Sequence, residues 1–409
     1  MTRVLKYRLS LMMFLEYLVP GATVPILSLY LKDNLGFESY QAGIVMAMPA
    51  LAAIAAPLVA SHIADRYISA ERLLAMCHFA CGLLMLALTR VETFPLFVFV
   101  FGCYGICFTP TLGLTNAVAL HHITDAKRDF GGIRLWGTAG WVVVGWVFGY
   151  FWIRGGGPGE RLPHALIVSG ATSLTLAVYS LTFRPAPHDA DTEKNEPYGD
   201  MLRLFLKPGM LLLCLLCFLN SACHQFYYFG MSPFLNQTDF PSAFIMPGMS
   251  VGQASEVVVL GLMGWCLLRM SMKTTMLIGV VAQGIRMVMF AFAGSHAVVI
   301  AGISLHGFCF AFFFITAYLY VESHSSRANR AGAQQVLTIM VAGAGTLAGF
   351  LSAGWTAQWL TDPITGIVDY RSYWLTPAVL CAIVAVMLAV GFHEISPDKS
   401  PDAPEPNAS

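Results

Sequence analysis

Apolar residues fill this chain in long unbroken blocks, and polar residues punctuate the gaps between them. Each block runs for about 20 residues, the length a helix needs to cross a bilayer core. The pattern predicts six spans at roughly 9–31, 40–62, 73–90, 94–122, 134–153 and 164–183. A stretch rich in Pro, Asp and Glu follows, "RPAPHDADTEKNEPYGDM" (184–201), and reads as a linker. Six more spans are expected at roughly 209–232, 249–269, 275–294, 297–322, 334–360 and 374–393. The expected organisation is an N-terminal six-helix bundle (1–183), a linker (184–207), a C-terminal six-helix bundle (208–394) and a disordered tail (395–409). The fold class is therefore an all-α membrane protein. Strands of a transmembrane barrel alternate in character, and these blocks do not. The first block continues to about Leu31 without a small-residue cleavage site, so it reads as a retained helix and not a signal peptide.

Composition agrees. Hydrophobic residues make up 57% of the chain and charged residues 11%, with a mean hydropathy of +0.66. A soluble domain carries roughly a quarter charged residues. Lys+Arg and Asp+Glu are 23 each, and no basic stripe points to nucleic acid. The ten cysteines all lie in apolar blocks, where they read as small hydrophobes with no metal or disulfide role. Placing the N-terminus in the cytoplasm puts 17 of the Lys and Arg residues on the inner side, 5 outside, and Arg286 within a span. That bias predicts both termini cytoplasmic.

Six spans, an inner linker and six spans form the layout of a two-bundle secondary transporter, with its substrate site near the midplane between the bundles. The short turn "ADRYISAER" (64–72) resembles the loop between spans two and three of the major facilitator superfamily. Asp65 and Arg66 match that loop, and Ser61 stands where a glycine is usual. No G-x-S-x-G, H-E-x-x-H, P-loop or Rossmann fingerprint occurs in a plausible context, so an enzyme is not expected.

Candidate chemistry lies in the polar residues inside the spans. Glu256, with Gln253 three residues earlier, sits in "SVGQASEVVVLGLMGWCLL" (250–268). An acid within a span is expensive and defaults to a functional site. A carboxyl kept from water that loads and loses a proton is what a proton-coupled carrier needs. The plain alternative is a protonated Glu256 bonded to a neighbouring helix. Glu16, in "FLEYLVPGA", is a second deep acid, either another proton site or the partner of a cation. Pro20 and Gly21 after it are expected to kink the helix. Arg134, Thr138 and Trp141 fall at i, i+4 and i+7 and share one helix face. A cation, a hydroxyl and a broad aromatic surface together suit a polar solute with a ring, although Arg134 alone also fits a snorkelling residue. Span seven clusters His224, Gln225, Tyr227 and Tyr228. Gln283, Arg286, His306 and Tyr318 carry less weight, and Asn116 reads as helix–helix glue.

Several of these segments resemble the nucleoside:proton symporter family of the major facilitator superfamily. "TPTLGLTNAVAL…RDFGGIRLWGTAGW" (109–141) resembles that family's P-T-L-x-L-x-N segment and the D-F-x-x-I-R-x-x-G-T-x-G stretch after it. "GQASE" (252–256) resembles its G/S-Q-x-S-E segment, and "HGFCFAFFFITAYLYVE" (306–322) its span-ten motif. The resemblance implies a twelve-helix major facilitator fold, with two six-helix bundles related by pseudo-two-fold symmetry. It implies nucleoside uptake driven by the proton gradient. No cofactor is expected, and the chain is expected to span the inner membrane as a monomer. Carried over by motif position, Arg134, Thr138, Trp141, His224, Tyr227, Gln253, Glu256, His306 and Phe310 would line the nucleoside site, with Gln225 as an alternative amide. Glu256 would also carry the proton, and beside it the deep Glu16 is the other candidate proton-coupling acid. One departure stands out: the family usually has an acid after the span-ten aromatic, and this chain has Ala311 after Phe310. A major facilitator carrier of another small solute, a sugar or a drug, is the alternative.

Overall fold

The computed structural model describes residues 2–66, 68–155, 159–184, 205, 208–325 and 330–394. The expected linker, apart from Arg184 and Phe205, and the expected tail lie outside these residues. So do the side chains of Ser61, Asp65 and Arg66.

The described chain is helical, and its segments group into twelve helices. They are α1 (Arg3–Asn34), α2 (Ser39–Arg66), α3 (Ala70–Leu88), α4 (Phe94–His122), α5 (Ala126–Trp146, continued by Val147–Trp152) and α6 (His164–Ser180). In the second half they are α7 (Pro208–Gln237), α8 (Ile245–Leu267), α9 (Met272–Ala291), α10 (His296–Ser323), α11 (Arg330–Trp359) and α12 (Tyr370–Gly391). Most helices outrun their apolar blocks, and several begin on a side-chain cap. The Asp125 side chain accepts from the Arg128 amide ahead of α5, and Asp369 accepts from the Arg371 and Ser372 amides ahead of α12. Among the described residues nine helices are long and apolar enough to cross a membrane, and Ser39–Ile54 and His164–Ser180 are shorter apolar helices. The remaining one, α5, carries Lys127, Arg128, Asp129 and Arg134 in its first turns. The kink expected at Pro20–Gly21 falls later. Pro20 lies within a regular helix over Arg3–Thr23, and the pattern tightens at Val24–Ile26, where Pro25 removes a donor.

Packing within the halves repeats. In the first half α1 packs on α5 and α6, α2 on α4, and α3 on α4 and α6. In the second, α7 packs on α11 and α12, α8 on α10, and α9 on α10 and α12. The halves meet through α2 against α11 and α5 against α8, two contacts that a pseudo-two-fold axis interchanges.

The two ends of the molecule differ. At the end bearing the α1–α2 loop, one apolar core runs through both halves, joining Phe37, Phe97 and Phe148 to Phe234, Phe290 and Trp374. Toward the chain termini it divides into separate cores, one around Met12, Leu74 and Leu176 and one around Leu213, Val280 and Leu388. All four hydrogen bonds that join the halves among the described residues lie at the loop end. The Ser28 and Ser232 hydroxyls are 3.3 Å apart, and Asn236 donates to Asp33 at 2.9 Å. Gln358 bonds both the Ser39 amide and the Glu38 carboxylate, each at 2.9 Å. Tyr40 stacks on Trp355 at 5.0 Å. The molecule is closed at the loop end, and its separated cores lie toward the termini.

Candidate functional site

The "RLWGTAGW" segment (134–141) of α5 is built for close approach to α1. A Cβ on Gly140 would lie 2.2 Å from the Phe14 carbonyl oxygen, so only glycine permits this backbone contact. A Cβ on Gly137 would meet the Tyr17 ring at 2.6 Å. With α1 this close, Arg134 donates a 2.6 Å hydrogen bond to the Tyr17 hydroxyl, and its guanidinium lies 4.1 Å from that ring's centroid. Arg134 is half-buried in the third turn of α5 and does not snorkel away from the protein. Its charge acts on Glu256 from the opposite half. Thr138 and Trp141 continue the same face and are also half-buried.

Glu256 is the middle residue of the 23-residue helix α8, with its side chain 19% exposed. Its backbone is seated by α10. A Cβ on Gly307 would lie 2.6 Å from the Ser255 carbonyl and 2.7 Å from the Glu256 nitrogen. The Gly307 amide donates to the Ser255 hydroxyl at 3.0 Å. This contact brings His306 beside Glu256, with Nε2 3.9 Å from Oε2. One turn earlier on α8, the Gln253 amide reaches the Tyr228 hydroxyl at 3.5 Å, while its Oε1 is buried without a hydrogen-bond partner. Phe310 lies a turn beyond His306 with the two rings nearly parallel, 6.4 Å apart at 7°.

Arg134, Thr138, Trp141, Gln253, Glu256, His306 and Phe310 are thus the sequence candidates placed on α5, α8 and α10. His224 joins them from α7, its ring 5.0 Å from that of His306. Three other candidates sit elsewhere. Tyr227 is fully buried beneath Arg286, whose guanidinium lies 4.6 Å from its ring centroid. Tyr228, the next residue, takes the position beside Gln253. Gln225 turns to α11, where its amide donates to Thr346 at 3.2 Å. Glu16 is sealed inside the N-terminal half. It receives hydrogen bonds from Thr111 at 2.7 Å and Thr115 at 2.8 Å, and His78 Nε2 lies 2.8 Å from its Oε2. No part of Glu16 or His78 is exposed, so of the two earlier readings the geometry favours a partner to a buried ring.

The sequence left one participant out and underweighted another. Tyr17 stands in an aromatic-rich stretch with no polar periodicity to single it out. Arg286 carried little weight, yet it is fully buried and bonded to His306 at 3.0 Å. The Ala311 departure has an apolar setting: Ala311 packs with Val259, Met263 and Phe312. Among the described residues no group of His, Cys, Asp or Glu is arranged to hold a metal ion.

The chain matches the sequence model of the family described as Nucleoside H+ symporter over residues 3–396. It is 30% identical over 401 residues to the putative nucleoside transporter YegT of Escherichia coli (strain K12), covering 95% of this chain and 93% of that one. It is 28% identical over 413 residues to the xanthosine permease of the same organism, covering 96% and 97%. A crystal structure of the nucleoside transporter NupG in a mutant form superposes with a TM-score of 0.89 at 26% identity, covering 95% of this chain and all of that one. A D-xylose-proton symporter shares the fold, with a TM-score of 0.75 at 13% identity. The family match along nearly the whole chain, the paired bundles and the polar cluster between them agree: this chain belongs to the nucleoside H+ symporter family, and it is a multi-pass membrane transporter that moves nucleosides with protons by alternating access, not an enzyme.

Proposed function

We propose that this transporter is a monomeric importer in the inner membrane, with both termini cytoplasmic, and that Glu256 is its coupling acid. The bias of 17 inner to 5 outer Lys and Arg residues supports the orientation. With that orientation, the sealed loop end faces outward and the state described here opens toward the cytoplasm. The observation that carries the reading is the position of Glu256. It is the middle residue of its helix, partly exposed, and under the charge of Arg134 from the other half. A carboxyl placed so changes the attraction between the halves each time it gains or loses a proton.

Nucleoside recognition then divides by chemistry. Trp141 and Phe310 offer aromatic faces to the base. Arg134, Thr138 and Gln253 meet its polar edge and the ribose hydroxyls. The buried Gln253 Oε1 supplies an acceptor still in need of a donor. A polar group left unpaired in such a site costs about 1–3 kcal/mol, so analogues lacking a ribose hydroxyl bind more weakly. The test uses purified protein in liposomes with an imposed inward proton gradient. Labelled uridine is expected to accumulate and to be displaced by unlabelled adenosine. Displacement by xylose or lipophilic cations, but by no nucleoside, would overturn the reading.

A further inference from the structure

Arg286 on α9 is a fully buried cation, and among the described residues no carboxylate lies within ion-pair distance of it. Buried charges are ordinarily paired. Arg286 instead directs NH1 to His306 Nδ1 at 3.0 Å and lies over the Tyr227 ring. Its other contact, NH2 to His224 Nδ1, is longer at 3.5 Å. His224 has a different partner. The Gln283 amide donates to the Asn220 carbonyl at 3.0 Å, which turns Oε1 toward His224 Nδ1 at 3.2 Å. An amide oxygen only accepts, so His224 Nδ1 carries the proton. His306 is therefore the acceptor left to Arg286.

A guanidinium has five donors and no acceptor, and it keeps its charge in proteins. His306 Nδ1 must then present a lone pair, and the single ring proton sits on Nε2. A second proton could enter only at Nδ1, against the Arg286 charge. The Nε2–H is the edge that faces Glu256 Oε2 at 3.9 Å. That separation exceeds a hydrogen bond, so in this state the donor is within a small shift of the carboxylate but not held by it. The other titratable or charged groups in electrostatic contact with Glu256 are Arg134 from α5, whose charge acts on it, and Tyr17 from α1 and Tyr228 from α7, on which it acts.

We propose that Arg286 fixes His306 as a neutral Nε2–H donor, and that ionised Glu256 and an oxygen acceptor on the nucleoside compete for that donor. Ionised Glu256 draws the donor to itself and leaves the solute one hydrogen bond short. Protonated Glu256 releases it to a carbonyl or hydroxyl oxygen of the solute. Proton and nucleoside then load together. His306 determines this exchange, and Arg286 is a positioning residue acting through it. The inference rests on the nucleoside reading above, and its first test does not.

That test is nitrogen NMR of full-length protein with labelled histidine, the His306 signals being assigned by their loss in His306→Gln. The expected result is a singly protonated Nε2–H ring from about pH 8 to about pH 5.5, below the ordinary histidine value of about 6.5. In Arg286→Gln the ring is expected to titrate within that range. An Nδ1–H ring, or a doubly protonated one in the wild type, would overturn the proposal, with or without a foldable Arg286 variant. The second test is uridine binding at about pH 6 and about pH 8. Wild type is expected to weaken by about threefold or more on the alkaline side, since ionised Glu256 takes one hydrogen-bond donor away from the solute. His306→Leu should bind more weakly with little change between the two, and His306→Gln, which can both accept and donate, should keep the dependence. A His306→Leu protein with the full wild-type dependence would overturn the competition. Wild type that binds no nucleoside at either pH would fail the nucleoside reading and the competition together, while the NMR result still decides the state of His306.

Discussion

Arg134 donates a 2.6 Å hydrogen bond to the Tyr17 hydroxyl and lies 4.1 Å from the centroid of the same ring. One tyrosine on α1 thus holds in place a cation on α5 whose charge acts on Glu256 in the other half. Removing that hydroxyl loses a hydrogen bond to a charged group, worth about 1.5–3 kcal/mol. Tyr17→Phe is therefore expected to raise the KM for uridine about tenfold or more. Arg134→Lys, which loses the planar fork and its fit on the ring, should be worse. Unchanged uptake kinetics in both would show that this pair does not organise the site.

Glu256→Gln keeps the shape of the side chain and removes its titration. Uphill uridine accumulation under a proton gradient should vanish. Exchange of labelled for unlabelled uridine across the same liposomes should continue, because exchange needs no net proton movement. Retained uphill accumulation would remove Glu256 as the coupling acid.

Glu16 gives the contrasting case. Its oxygens are held by Thr111, Thr115 and His78 with no exposure to the space between the halves. Removing the carboxyl leaves the buried Thr111, Thr115 and His78 groups without their partner, at about 1–3 kcal/mol for each one left unpaired, so Glu16→Ala should lower the thermal midpoint clearly in detergent. Glu16→Gln, which can still bond the same cage, should retain proton-driven accumulation. Loss of accumulation with normal stability would return Glu16 to the proton path.

The loop-end seam must open if access alternates. Ser28 and Ser232 face each other with their hydroxyls 3.3 Å apart, close enough for a bridge between two cysteines with modest adjustment. In a background without the ten native cysteines, oxidised Ser28→Cys/Ser232→Cys should lose uridine uptake. Reductant should restore it. Uptake that survives complete cross-linking would mean that this seam does not gate transport.

Much of the site was legible in the sequence. The placement of Glu256 deep in an apolar helix and the shared face of Arg134, Thr138 and Trp141 follow from helical spacing alone. Span seven was harder. Tyr227 and Tyr228 are adjacent and point in different directions from α7, and the setting of that helix about its axis decides which faces the gap. Packing makes that choice: Tyr227 goes beneath Arg286, and Tyr228 stands beside Gln253. Glu16 was ambiguous for the same reason. A deep acid looks alike in sequence whether it faces a cavity or a cage supplied by Thr111, Thr115 and His78 on other helices.

The sequence by itself determined the number of spans, the two bundles and the residues on each helix face, because hydrophobic block length and a 3.6-residue period are local properties. Only the tertiary structure decided which faces meet. Bare glycine surfaces at Gly140 and Gly307 bring backbones into contact and thereby set the neighbours of Arg134 and Glu256. Which end is closed, and why a buried arginine can rest against a histidine, depend on contacts between residues far apart in the chain. No local pattern records those contacts.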